Sequence, residues 1–121
     1  MAPVGQYPPY SPWRRAGNFI IVSGQIGRSP ETGELVEGGA AGELRQAIKN
    51  GAVLLSEVGG TLGDVVKATI FLLDMGDFGA CNDVWLAAFS NPLPARSTVA
   101  VAGLPLGAKA EIEFWAYIPQ F

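Results

Sequence analysis

The sequence predicts an α+β domain of element order β-β-α-β-α-β-β, with two helices on one face of a mixed sheet. Three observations carry that prediction. Apolar, β-prone runs recur at 19–22, 65–73, 96–101 and 109–118. Helical periodicity is confined to 40–58 and 77–89. With 121 residues, 49% of them hydrophobic and 16% charged, the chain supports one core over 1–121 and is too apolar for disorder.

Residues 1–10 are rich in proline and aromatics and read as an arm on the surface or on a neighbour. Trp13-Arg14-Arg15 and Asn18–Ser23 flank Ala16-Gly17, a two-residue hairpin signal. The 19–22 stretch is continuously apolar, so its strand is expected to be covered on both faces. Residues 24–38 hold four glycines and a Ser-Pro pair and read as a loop. In the first helix Leu44, Ile48, Leu55 and Val58, with Ala47, Gly51 and Leu54, form the apolar stripe. Glu43, Arg45, Lys49 and Asn50 take the outer side. Gly59-Gly60 ends this helix, since glycine enters the left-handed region cheaply.

Residues 65–73 (VVKATIFLL) form a strand with Lys67 as its only charge. Asp77 opens the second helix, whose core stripe is Phe78, Cys81, Trp85 and Ala88 or Phe89. Pro92 and Pro94 follow its end, and strands at 96–101 and 109–118 complete the chain. Two helices cover only one face of such a sheet. The bare face calls for a partner, and a symmetric oligomer of identical chains is the default.

Composition narrows the chemistry. The chain has no histidine, which excludes a Ser-His-Asp triad, a Cys-His dyad and any imidazole-dependent metal site. Its single cysteine, Cys81, excludes an intrachain disulfide and fits a reducing, cytoplasmic setting. Net charge is −3, and no basic cluster exceeds Arg14-Arg15, so nucleic acid is not an expected partner. No apolar run is long enough to span a bilayer, and the N-terminus lacks the pattern of a secretory signal. Carboxylates, arginine, hydroxyls, backbone groups and water remain.

Alternation along 109–118 puts Ala110, Ile112, Phe114, Ala116 and Ile118 under the helices. Lys109, Glu111, Glu113, Trp115 and Tyr117 take the opposite face. In the preceding strand Arg96, Thr98 and Ala100 share one face. If that strand pairs antiparallel with 109–118, Arg96 and Thr98 lie near Glu111 or Glu113 on the face turned from the helices. A guanidinium there matches a carboxylate ligand, and a nearby glutamate orients a water or takes its proton. From pattern alone such a pair is more often a structural ion pair.

Other signals have simpler explanations. Gly24-Gln-Ile-Gly27 looks like a phosphate loop, but no helix follows it and turn geometry accounts for its glycines. Cys81 lies on the core stripe and reads as a small hydrophobe. Asn82 borders that stripe, where a surface or capping role suffices. Asp74, Asp77 and Asp83 fit helix-start electrostatics better than a metal cluster.

The segment Pro94-Ala-Arg-Ser-Thr-Val-Ala-Val-Ala-Gly-Leu-Pro, followed by Ala110-Glu-Ile-Glu, resembles the signature of the YjgF/Rid family, whose RidA branch comprises enamine/imine deaminases. Pro9-Tyr10, 19–26 (FIIVSGQI), 63–72 (GDVVKATIFL) and 78–82 (FGACN) extend the resemblance collinearly over nearly the whole chain. It implies a chorismate-mutase-like fold in a homotrimer with inward-facing sheets and clefts between subunits. It implies hydrolysis of 2-aminoacrylate-type enamines and 2-imino acids to 2-keto acids and ammonia, with no metal or cofactor.

Position by position, the resemblance makes Arg96 the carboxylate clamp and Glu111 the group that positions or activates water. Tyr10, Ser23 and Asn82 match pocket residues. Thr98 stands where cysteine is frequent, and Trp85 where a smaller aromatic is common. Two alternatives accompany this expectation: a non-catalytic trimer that binds small carboxylates, and a specialised family deaminase or hydrolase acting on a larger metabolite. The endoribonuclease activity also associated with the family ranks last, for want of a basic surface and a histidine.

Overall fold

A computed structural model describes residues 8–120; the first seven residues of the arm expected at 1–10 lie outside the described residues. Five strands form one sheet: β1 (Trp13–Ala16), β2 (Phe19–Ile26), β3 (Val65–Leu72), β4 (Ala95–Ala100) and β5 (Ala110–Tyr117), in the order β1-β2-β5-β3-β4. Two helices, α1 (Gly39–Ser56) and α2 (Phe78–Ala88), pack together and cover one face of it. No helix among the described residues is long and apolar enough to cross a membrane.

The sheet is antiparallel except where β3 meets β4. Those two strands are joined through α2, and a helical crossover returns the chain in the direction it started. β4 therefore pairs parallel with β3 at the sheet edge and is not hydrogen-bonded to β5, contrary to the antiparallel β4–β5 pairing expected from sequence. The register sets Arg96 beside Ala68 and Thr98 beside Ile70. Because Ala68, Ile70 and Leu72 are buried under the helices, Arg96 and Thr98 lie on the helix side of the sheet.

The core follows the predicted alternation of β5. Ala110, Ile112, Phe114 and Ala116 are fully buried against Leu44, Ala47, Ile48 and Leu55 of α1 and Cys81, Val84 and Trp85 of α2. At Gly51 a side chain would overlap the Phe114 ring, so glycine is what lets α1 approach β5. Glu43 departs from the expected outer side: it is buried, and its Oε1 accepts a hydrogen bond of 2.7 Å from the Lys109 backbone N–H. A buried carboxylate is tolerable because it satisfies that amide, which fixes the lead-in to β5 two residues before Glu111. Phe78, expected in the core, is 41% exposed.

The other sheet face is open. Strand β2 is consequently buried on one face only in this chain: Ile20 and Val22 point to the core, Phe19 and Ile21 away from it. Phe19 packs edge-on against Trp115 and Tyr117, with ring centroids 6.0 and 5.3 Å apart, and all three remain partly exposed. Val99 is exposed on the same face.

Candidate functional site

The expected site residues fall into two groups on opposite faces of the sheet. The first is built around Arg96. Its Nη2 donates to Asn82 Oδ1 at 2.6 Å, and its Cζ stands 5.0 Å from the centroid of the Trp85 ring and 5.6 Å from that of Phe78. Phe78, Asn82 and Trp85 are spaced four and three residues apart, so α2 presents them on one side, toward β4. Asn82 is thus neither a cap nor a surface residue. Burial lowers the Arg96 pKa and the Cys81 thiol partly opposes this; guanidinium basicity is high enough that the charge persists.

Thr98 follows Arg96 on the same face. Its Oγ1 is shielded from solvent and has no hydrogen-bond partner among the described residues. That hydroxyl is shielded by packed structure and does not face open space. Cys81, buried behind Arg96, has its thiol pKa raised by burial first and Asp77 second, with Arg96 lowering it in part. The thiol stays protonated and is no nucleophile.

The second group lines an open groove of about 1010 Å³ on the opposite side of the sheet, shared by Tyr10, Ser23, Gly24, Arg28, Glu111 and Glu113. Ser23 Oγ donates to Ser11 O at 2.6 Å and the Ser23 N–H to Pro12 O at 2.9 Å, which ties the Tyr10 segment to β2. Between Val22 and Gln25 the β2–β5 register slips, and the Glu111 carboxylate lies over this irregularity. A side chain at Gly24 would occupy the place of Glu111 Oε2. Sequence alone marks Gly24 only as a turn residue; its proximity to Glu111 depends on strand register, which no local motif reveals. Burial raises the Glu111 pKa, with the Glu113 charge adding to it, so this carboxyl holds its proton to higher pH than an ordinary glutamate.

Arg96 and Glu111 are therefore not an ion pair. Two strand spacings, about 10 Å, and the thickness of the sheet separate them within one chain. The sequence expectation that they share a face is overturned, because it assumes the wrong neighbour for β4.

The Endoribonuclease L-PSP family profile matches residues 2–118. The chain belongs to that family. A mouse protein named 2-iminobutanoate/2-iminopropanoate deaminase is 43% identical over 87% of this chain and 78% of its own length. Among solved structures, RidA from an Antarctic Psychrobacter superposes with a TM-score of 0.87 at 43% identity, covering 97% of this chain and 92% of that one. The YjgF gene product of E. coli gives 0.84 at 38%, covering 96% and 91%. Membership in the L-PSP family agrees with the YjgF/Rid resemblance read from the sequence.

Proposed function

We propose that the protein is an imine deaminase that hydrolyses 2-imino acids, and the enamines that tautomerise to them, to 2-keto acids and ammonia. The observation that carries this reading is the Arg96 cluster: a guanidinium anchored by Asn82 and two rings, in a chain 43% identical to a protein named for this activity. Arg96 offers its remaining in-plane N–H groups to the substrate carboxylate, as charge-assisted bonds worth about 1.5–3 kcal/mol each. Glu111 holds a water against the C=N carbon. Water oxygen bonds to that carbon while the imine nitrogen takes a proton. The resulting carbinolamine loses its hydroxyl proton, breaks the C–N bond and releases ammonia, leaving the C=O. Glu111, with its raised pKa, shuttles the proton. The reaction draws on water alone and needs no cofactor.

Because Arg96 and Glu111 face opposite sides of one sheet, a working cleft takes Arg96, Asn82 and the Thr98 backbone from one copy. Tyr10, Ser23 and Glu111 come from another. The exposed aromatic patch of Phe19, Trp115 and Tyr117 supports burial of that face against further copies, and a closed homotrimer satisfies each copy in the same way. The lone free cysteine fits a reducing cytoplasm.

The test is a coupled assay that generates 2-iminopropanoate in place and follows pyruvate and ammonia. Wild type accelerates hydrolysis, and Arg96→Ala lowers kcat/KM by about 100-fold or more while remaining folded and oligomeric. Wild-type rates in Arg96→Ala defeat the clamp. A wild type that binds 2-keto acids without hydrolysing imines makes the protein a carboxylate binder.

A further inference from the structure

Arg96 is surrounded by more than its Asn82 partner needs. The guanidinium stands over both the Trp85 and Phe78 rings at cation–π distance. The two rings differ in setting. Trp85 is 4% exposed and stacks on Phe89 with centroids 4.3 Å apart, so its place is fixed by the core. Phe78 opens α2 and is 41% exposed, an unusual position for a large apolar side chain whose stripe partners are buried. Core packing does not hold the Phe78 ring in place; its neighbour is the charge of Arg96.

We propose that Phe78 and Trp85 are positioning residues that hold the Arg96 guanidinium in its ligand-ready orientation, Trp85 as the fixed wall and Phe78 as the outer one. An arginine side chain carries several rotatable bonds, and a free one loses that freedom when it grips a carboxylate. Here the freedom is already lost. Asn82 takes an Nη2 hydrogen and both rings stand at cation–π distance from Cζ, so a bidentate ligand meets a preset edge. Because the rings act on the clamp and never on the water, their effect belongs in ligand affinity rather than turnover. This inference rests on Arg96 being the carboxylate clamp.

The experiment compares Phe78→Leu, Phe78→Tyr and Trp85→Phe with wild type, using 2-oxobutanoate binding by calorimetry, imine hydrolysis kinetics and thermal melting. Phe78→Leu keeps an apolar side chain but removes the ring. It is expected to weaken 2-oxobutanoate binding about five-fold, about 1 kcal/mol, and to raise KM by the same factor with little change in kcat. Phe78→Tyr keeps the ring and restores wild-type binding and KM. Trp85→Phe keeps an aromatic wall that is displaced by its smaller size, and weakens binding by less than Phe78→Leu does. A Trp85→Phe loss of binding as large as that of Phe78→Leu overturns the role of Trp85 as a fixed wall. Affinity in Phe78→Leu equal to wild type overturns the inference, as does a Phe78→Tyr variant as weak as Phe78→Leu. A loss confined to kcat overturns it too. Unchanged binding in Arg96→Ala defeats the clamp itself, and with it both readings. Weakened binding in Arg96→Ala beside neutral Phe78 variants defeats only the role of the rings.

Discussion

The two faces of the sheet hold their charged groups in different ways. On the helix side Arg96 is fixed by a 2.6 Å hydrogen bond to Asn82 and by two rings of α2, all on regular elements packed into the core. On the open side Glu111 lies in a wide groove over an irregular stretch of β2, beside a half-exposed Glu113 and a largely exposed Tyr10. The arginine half is finished within one chain. The carboxylate half is not, and the apolar surface around it is what a second copy would cover. Orientation of the guanidinium is thus built into the fold, whereas in the proposed assembly it is the covering of the open face that would complete the desolvation around Glu111.

If the open face carries the chemistry, Glu111→Gln should produce the largest loss there, about 100-fold in kcat with 2-oxobutanoate binding retained. A variant that loses binding and keeps kcat would move Glu111 to the clamp side of the comparison. Gly24→Ala comes next. Its methyl group displaces the Glu111 carboxylate, so kcat should fall about ten-fold while the Arg96-dependent affinity holds. Equal losses in affinity and turnover would mean that β2 as a whole has shifted.

A smaller effect concerns pH. Burial, then Glu113, raises the Glu111 pKa, so the rise of kcat/KM with pH lies above the ordinary carboxylate range. Glu113→Gln removes the second cause, and the acid limb should move to lower pH; an unmoved limb assigns it to another group. The same raised pKa makes Glu111 stabilising only when protonated. Its cost appears as pH rises through the ordinary glutamate value and is complete above the folded one, so Glu111→Gln should gain relative stability toward neutral pH. Smallest is Thr98→Val. It removes a shielded hydroxyl with no partner and keeps the shape, so stability should rise by about 1 kcal/mol with kcat unchanged. A loss would show that the hydroxyl is paired.

Most of the architecture is legible in the sequence because each element has a local cause. The hairpin after β1, whose turn falls at Gly17-Asn18, one residue later than the Ala16-Gly17 expected from sequence, the stop at Gly59-Gly60 and the alternation of 110–117 depend on neighbours a few residues away. Pairing does not. The sequence places Arg96 and Glu111 on strands adjacent in the chain, and only the crossover through α2 reveals that β3 intervenes. The β-α-β order is itself the available signal for parallel pairing. Glu43 misleads for a related reason: its hydrogen-bond partner is 66 positions away, so nothing near it announces burial. Family resemblance marks Asn82 as a pocket residue, while its contact with Arg96 follows from the side of α2 it shares with Phe78 and Trp85.

Mixing two impaired variants reads out the division of the site directly. Arg96→Ala and Glu111→Gln each keep no more than about a hundredth of wild-type activity alone, since every cleft lacks one half. After subunit exchange at equal amounts, half of the clamps face half of the carboxylates, so about a quarter of wild-type activity should return. If the mixture stays as inactive as its components while exchange is verified, both groups serve one cleft within a single chain, and the site is not divided between copies.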